Sequence, residues 1–159
     1  MNVRKAVAGD LPRLWELDRI CFEPGIAYSP AELRRFFELP GALGLVAERD
    51  GEVEGFALGY GDRRGAAHVV TLDVRPSGRR RGLGRRLLEG LLSGLGAAGA
   101  RRAVLEVDVR NSGAVAFYQE LGFRKSGRIR SYYGPGLDAF EMVRPLRSSK
   151  RSPAATDAG

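Results

Sequence analysis

Two stretches of this sequence hold side chains in patterns suited to chemistry. The first is Arg79-Arg80-Arg81-Gly82-Leu83-Gly84-Arg85. It follows an alternating apolar run, His68 to Val74, and opens a helical pattern carried by Leu83, Leu87, Leu88, Leu91, Leu92 and Leu95. A strand, a basic glycine loop and a helix start together make an anion site. The first amides of a helix have no partner inside it, and the helix dipole adds positive charge there. Gly82 and Gly84 let a phosphate approach the backbone, and the arginines add donors matched to phosphate oxygens. The second stretch is Ala103 to Val109, whose strand alternation puts Glu106 and Asp108 on one face, opposite Leu105 and Val107. A carboxylate in mid-strand is costly without a partner or a task. Asn111 and Tyr118 follow at the start and in the body of a short helical pattern.

The glycine loop is neither of two common phosphate binders. A P-loop needs a lysine followed by Ser or Thr at the helix start, and none is present. The dinucleotide fingerprint fails because Leu87 stands at its third glycine. A literal G-x-G-x-x-G, Gly94 to Gly99, sits after a helix and before a strand, which reverses the required context; it reads as a helix end. What remains is Arg-x-x-Gly-x-Gly between strand and helix.

The elements that must position these groups read in order along the chain. Asn2 to Ala6 alternates as a first strand. Asp10 is placed to cap a helix reaching Phe22, and Ser29-Pro30-Ala31-Glu32 makes a capping box for a second helix that stops at Pro40-Gly41. The loop between them, Glu23 to Tyr28, reads equally as an acceptor-site wall and as a plain connector. Leu43 to Glu48 and Val53 to Tyr60 form a hairpin across Asp50-Gly51. His68 to Val74 precedes the basic loop and its helix, and Ala103 to Val109 is the next strand. Asn111 caps a helix over Gly113 to Glu120. Arg128 to Tyr133 and Leu137 to Arg144 are read as a last strand pair around Gly134-Pro135-Gly136. The order is β-α-α-β-β-β-α-β-α-β-β, which predicts a mixed α/β sheet with helices on both faces.

Composition bounds the rest. The 159 residues fit one domain over 1–146, followed by a basic Ser/Ala/Pro-rich tail, 147–159, expected to be disordered. No apolar run approaches a membrane span, and no signal-peptide core is present. A single cysteine, Cys21, fits a reducing cytoplasm and reads as core packing; a single histidine, His68, has no companions for a metal set. Formal charge is +7, of which the tail supplies +2. The arginine excess near the glycine loop suits a polyphosphate cofactor. Nucleic acid is the rival partner, but no recognition-helix signature or aromatic-basic platform supports it.

The loop Arg79-x-x-Gly82-x-Gly84 resembles the acetyl-coenzyme A loop of the GNAT acetyltransferase superfamily, whose pattern is Gln/Arg-x-x-Gly-x-Gly/Ala. The run from Leu105 to Phe123, Leu-Glu-Val-x-x-x-Asn-x-x-x-x-Ala-x-Tyr-x-x-x-Gly-Phe, resembles its RimI-type branch, which acetylates protein N-termini. Arg130-Ser131-Tyr132-Tyr133 with Asp138-Ala139 and Met142 resembles the same branch and Ard1-type enzymes. The resemblance implies the GNAT fold, a mostly antiparallel twisted sheet of about seven strands. It also implies acetyl-CoA as cosubstrate, no metal, and a protein or peptide N-terminus as acceptor, in a monomer or homodimer; the alternatives are a lysine or small amine such as a polyamine or drug as acceptor, or a non-catalytic acyl-CoA-binding sensor. Leu72, Asp73 and Val74 would fall on the strand whose backbone meets the acetyl and pantetheine portions. Arg79, Arg80, Arg81, Gly82, Leu83, Gly84 and Arg85 would wrap the pyrophosphate, and Asn111 would hydrogen-bond the cofactor. Glu106 matches the general base and Tyr118 the general acid; their bland alternatives are a salt-bridged residue and a core phenol. Asp108 and Arg110 stand where RimI-type sequences usually carry Arg and Ser, and Glu23 is an outside candidate for base.

Overall fold

The computed structural model describes residues 1–79 and 81–147. Arg80 and residues 148–159 of the expected tail lie outside the described residues. The elements are β1 Asn2–Lys5, α1 Leu11–Cys21, α2 Pro30–Phe37, β2 Ala42–Arg49, β3 Glu52–Gly61, β4 Ala66–Val74, α3 Leu83–Ala97, β5 Arg102–Asp108, α4 Ser112–Glu120, β6 Arg124–Ile129 and β7 Ala139–Pro145. They build one sheet in the order β1-β2-β3-β4-β5-β7-β6. Every neighbouring pair is antiparallel except β4 and β5, which run parallel.

Local chemistry explains most boundaries. Asp50 and Gly51 take φ of 52° and 82° between the paired residues Arg49 and Glu52, a two-residue turn whose twist matches the strands it joins. Ser29 caps α2 by accepting from the Glu32 amide at 3.1 Å, and Glu32 returns the bond to the Ser29 amide at 2.9 Å. Asp10 does not cap α1 with its side chain. The Arg4 guanidinium on β1 grips both of its oxygens at 2.9 and 2.8 Å, and the Val7 amide donates at 2.8 Å. A single 3-10 turn, Ala8–Asp10, intervenes instead.

The last strand pair sits earlier and later than the sequence suggests. β6 is a polar, largely exposed strand with no apolar alternation to reveal it. It ends before Ser131, whose φ of 55° turns the chain, and Asp138 fixes that turn by accepting from the Ser131 amide and from Arg128, both at 2.9 Å. Tyr132 and Tyr133 therefore lie in a loop.

The core lies on both faces of the sheet. Leu87, Leu88 and Leu91 of α3 pack on Ala47, Ala57, Ala103 and Leu105. On the other face Leu14, Leu17 and Leu33 of α1 and α2 cover Val46, Phe56 and Leu58. Small residues under α3 let the helix approach closely. A Cβ at Gly59 would sit 2.7 Å from the His68 carbonyl oxygen and 3.2 Å from Leu91. Gly59→Ala is therefore expected to lower unfolding free energy by about 1–3 kcal/mol, read from denaturant midpoints at unchanged slope.

Two irregularities open the site. The β3–β4 register shifts beside Gly59, leaving Val70 without a ladder partner on β3. Then β4 and β5 pair only over Ala66–His68 and Arg102–Val104 before they part. Beyond that point each strand presents an edge to the gap between them.

Candidate functional site

The gap between β4 and β5 gathers the groups the sequence singled out. The Arg75 amide donates to the Glu54 carbonyl at 2.8 Å, and Val74 lies opposite Gly55. An antiparallel ladder alternates, so Asp73 turns its backbone to β3, whereas Leu72 and Val74 turn theirs to the gap. The Val74 carbonyl accepts from Arg79 Nε at 3.0 Å and from the Cys21 thiol at 3.4 Å. Its amide is left aimed at the gap.

The glycine loop follows directly. Gly82 takes a left-handed φ of 79° at the start of α3, and a Cβ there would meet nothing within 4 Å. Gly82 and Arg81 are exposed, and Arg85 is exposed on the first turn. Leu83 instead turns inward to the core, so its amide rather than its side chain serves the loop. Open space, unpaired helix amides and exposed cations fit a pyrophosphate. The residues present thus suit the phosphate end of acetyl-CoA, with the Leu72 and Val74 amides suited to its acyl end.

Glu106 leaves β5 just beyond the point where the strands part, on the face covered by α1 and α2. It is half-buried. Burial pushes its carboxyl above the ordinary value, the Tyr132 hydroxyl donating at 3.2 Å draws it back, and Glu141, directly across on β7, pushes it up again. His68 pairs with Val104, two residues before Glu106 on the neighbouring strand. His68 is itself held: its Nε2 is 2.8 Å from Asp62 Oδ2, and its ring stacks on Tyr60 at 4.7 Å. Ala66 and Arg64 amides, with His68, hold Asp62 at about 2, so it stays an anion behind the ring.

Tyr118 reaches the gap from the opposite face, packed edge-on against Phe117 at 5.4 Å and Phe123 at 5.8 Å. The residue is partly exposed, but its hydroxyl end is deep enough that burial, and then the Asp73 charge, push the phenol above its ordinary value. Among the described residues that hydroxyl has no hydrogen-bond partner. Tyr118 packs against the core on the α3 side of the sheet, and Glu106 leaves β5 on the other side. Tyr133 feels both.

The other candidates take structural posts. Asn111 Oδ1 caps α4, accepting from the Ala114 amide at 3.0 Å, which leaves its amide nitrogen for a ligand. Arg110 binds Asp108 at 2.6 Å and also Glu23, so it ties the α1–α2 loop to the β5–α4 turn. Glu23 is thereby engaged in an ion pair. Cys21 has a thiol pushed up to about 11 by burial and by the Asp73 charge, a poor nucleophile at neutral pH. Sequence reasoning passed over His68, Tyr28, Tyr132 and Tyr133 as site residues. For His68 the signal was its place at the head of the strand preceding the glycine loop; only the pairing of that strand with β5 brings it to Glu106.

Comparison with known proteins bears on this geometry. The profile described as "Acetyltransferase (GNAT) family" matches residues 11–123. The chain is 31% identical over 158 residues to an N-alpha-acetyltransferase of Sulfurisphaera tokodaii, covering 91% of this chain and 93% of that protein. It is 32% identical over 142 residues to the [ribosomal protein bS18]-alanine N-acetyltransferase of Salmonella typhimurium, covering 86% and 92%. The crystal structure of the ribosomal-protein-S18-alanine N-acetyltransferase from Escherichia coli superposes with a TM-score of 0.83 at 25% identity, over 95% of this chain and 97% of that one.

Proposed function

This chain belongs to the acetyltransferase (GNAT) family, and on that premise we propose that it transfers the acetyl group of acetyl-CoA to the α-amine of a protein or peptide N-terminus. The observation that carries the reading is Glu106. It is a half-buried carboxylate with a raised pKa, backed by His68 and Tyr132, on the β5 edge that faces the Leu72 and Val74 amides. The arginines and amides of the Arg79–Arg85 loop hold the pyrophosphate. Glu106, directly or through a bound water, takes the proton that the attacking amine loses. The Val74 amide receives the negative charge that develops on the thioester oxygen, and it is fixed beforehand by the strand. Tyr118 gives its phenolic proton to the departing thiolate.

The energetics favour an α-amine. Its pKa of about 7.7–8.0 makes deprotonation near neutral pH cost about 1 kcal/mol, against roughly 4 kcal/mol or more for a lysine near 10.4. One modestly raised carboxylate is matched to the first task. The named relatives act on N-termini, which supports the same acceptor class. No described helix is long and apolar enough to cross a membrane, and we place the reaction in the cytoplasm, where Cys21 stays reduced.

The test is thiol release from acetyl-CoA with two matched peptide sets. One set has free α-amines, varied first residues and no lysine; the other is N-terminally blocked with one internal lysine. Turnover on the first set alone is expected. Turnover only on the second overturns the α-amine assignment and moves the chain to lysine acetylation.

A further inference from the structure

Behind the gap, on the α1 face, lie two acidic side chains that the chemistry above does not use. Asp18 of α1 and Asp73 of β4 are both fully buried, and Thr71 between them is 6% exposed. The Thr71 hydroxyl donates to Asp73 Oδ1 and lies 3.5 Å from Asp18 Oδ1. Asp18 Oδ2 accepts from the Tyr28 amide at 2.7 Å. Asp73 Oδ2 is buried with no partner among the described residues. A hydroxyl has one proton and two lone pairs. Flanked by two carboxyl oxygens, it satisfies both only when one carboxyl is itself protonated and donates back.

Among the described residues, little in the surroundings neutralises two negative charges. Facing the pair are Cys21 of α1, Tyr28 of the α1–α2 loop, Tyr118 of α4 and Arg79 of the glycine loop. Arg79 is the one cation among them; it is exposed, and its Nε is committed to the Val74 carbonyl. Burial, and then the neighbouring Asp18, push the Asp73 carboxyl well above the ordinary range. Two like charges in a dry site cannot both ionise cheaply.

The place of the pair gives it a role. Asp73 sits between Leu72 and Val74, the two residues whose backbone faces the gap. Asp18 holds the Tyr28 amide, and the Tyr28 hydroxyl donates at 3.2 Å to the carbonyl of Val70, the residue without a ladder partner on β3. The α1–α2 loop is thus fastened to β4 through these acids, and the same loop carries Glu23 to Arg110 across the mouth.

We propose that Asp18 and Asp73 share one proton at neutral pH and act as positioning residues, fastening the acceptor-side loop to the strand that receives the acetyl group, so that losing the proton in alkali loosens that loop. The proton leaves to solvent base, with no other bond made or broken. The acceptor-binding part rests on the function proposed above; the shared proton does not.

Two measurements on the whole protein separate them. The first is infrared difference spectroscopy of wild type against Asp73→Asn at pH 7, where ordinary carboxyls are ionised. A protonated-carboxyl C=O band in the wild type, lost in the variant, is expected; its absence from the wild type overturns the proposal whatever the enzyme's substrate. The second is the protection of the Tyr28 amide against hydrogen exchange, with KM for an α-amine peptide, followed from pH 6 to 10. In the wild type Tyr28 protection should fall by about tenfold in alkali, because repulsion between two buried carboxylates drives Asp18 away from Asp73 and off the Tyr28 amide. In Asp73→Asn and Asp18→Asn that dependence should flatten, and the alkaline rise in KM with it, while the coenzyme Kd does not follow. Equal pH dependence of Tyr28 protection in wild type and both variants overturns the fastening role. Flattened protection with no acetyl transfer to any peptide leaves the pair standing and removes the acceptor assignment.

Discussion

Replacing Glu106 by glutamine is expected to lower kcat by about 10²-fold, the lower range of a general base's contribution, while the coenzyme Kd stays near its wild-type value. Glutamine keeps the shape and keeps an oxygen for the Tyr132 hydroxyl, so the fold around β5 has little reason to move. What it removes is the proton acceptor. The base works only when ionised. Burial has raised its pKa, so wild-type kcat should climb with pH through that raised value and then level off. The variant should lose this step. A peptide with a less basic α-amine needs less help and should narrow the gap between the two enzymes. Steady-state rates over pH, with coenzyme binding measured separately, check all three points. If turnover and coenzyme affinity fall together, Glu106 is a structural residue of the sheet and the proton goes elsewhere.

Tyr118→Phe is expected to cost a similar factor in kcat, about 10²-fold, with almost no change in thermal stability. The ring contacts to Phe117 and Phe123 survive the substitution, and the hydroxyl leaves no partner behind among the described residues. Burial holds the phenol above its ordinary pKa of about 10. It therefore keeps its proton across the working range, and no alkaline loss of rate should trace to it below about pH 10. A thioester whose thiol is a better leaving group should restore much of the variant's rate, because a stable thiolate does not need protonation. A wild-type rate in Tyr118→Phe with acetyl-CoA would remove it as the acid.

Much of this was legible because it is local. Asp50-Gly51 needs two positive φ values that few residue pairs accept, and Ser29 to Glu32 satisfies its own amides. The leucines of α3 repeat on one helical face. Arg79 to Arg85 reads as an anion loop because helix-end amides and glycine backbones act within a single turn. β6 was misplaced because an exposed strand of polar residues carries no burial pattern, and its end is set by Asp138 reaching back to Ser131.

Glu106 stands out in the sequence as a mid-strand carboxylate, and Tyr118 by its place in the run that resembles the RimI-type branch. Only the sheet decides what surrounds them. β4 pairs with β5 across an intervening helix, and that pairing sets His68 beside Glu106, parts the strands beyond Val104, and turns the Leu72 and Val74 amides into the opening. The same folding buries Asp73 against Asp18, two acids 55 positions apart that nothing in either stretch connects. Local spacing carries most of the elements and the anion loop, and it marks Glu106 as a mid-strand carboxylate that needs a partner or a task, since those depend on neighbours within a few residues. Folding decides which acids are buried, which are tied up in ion pairs and which stand beside the gap, because burial and charge proximity are properties of residues far apart in the chain.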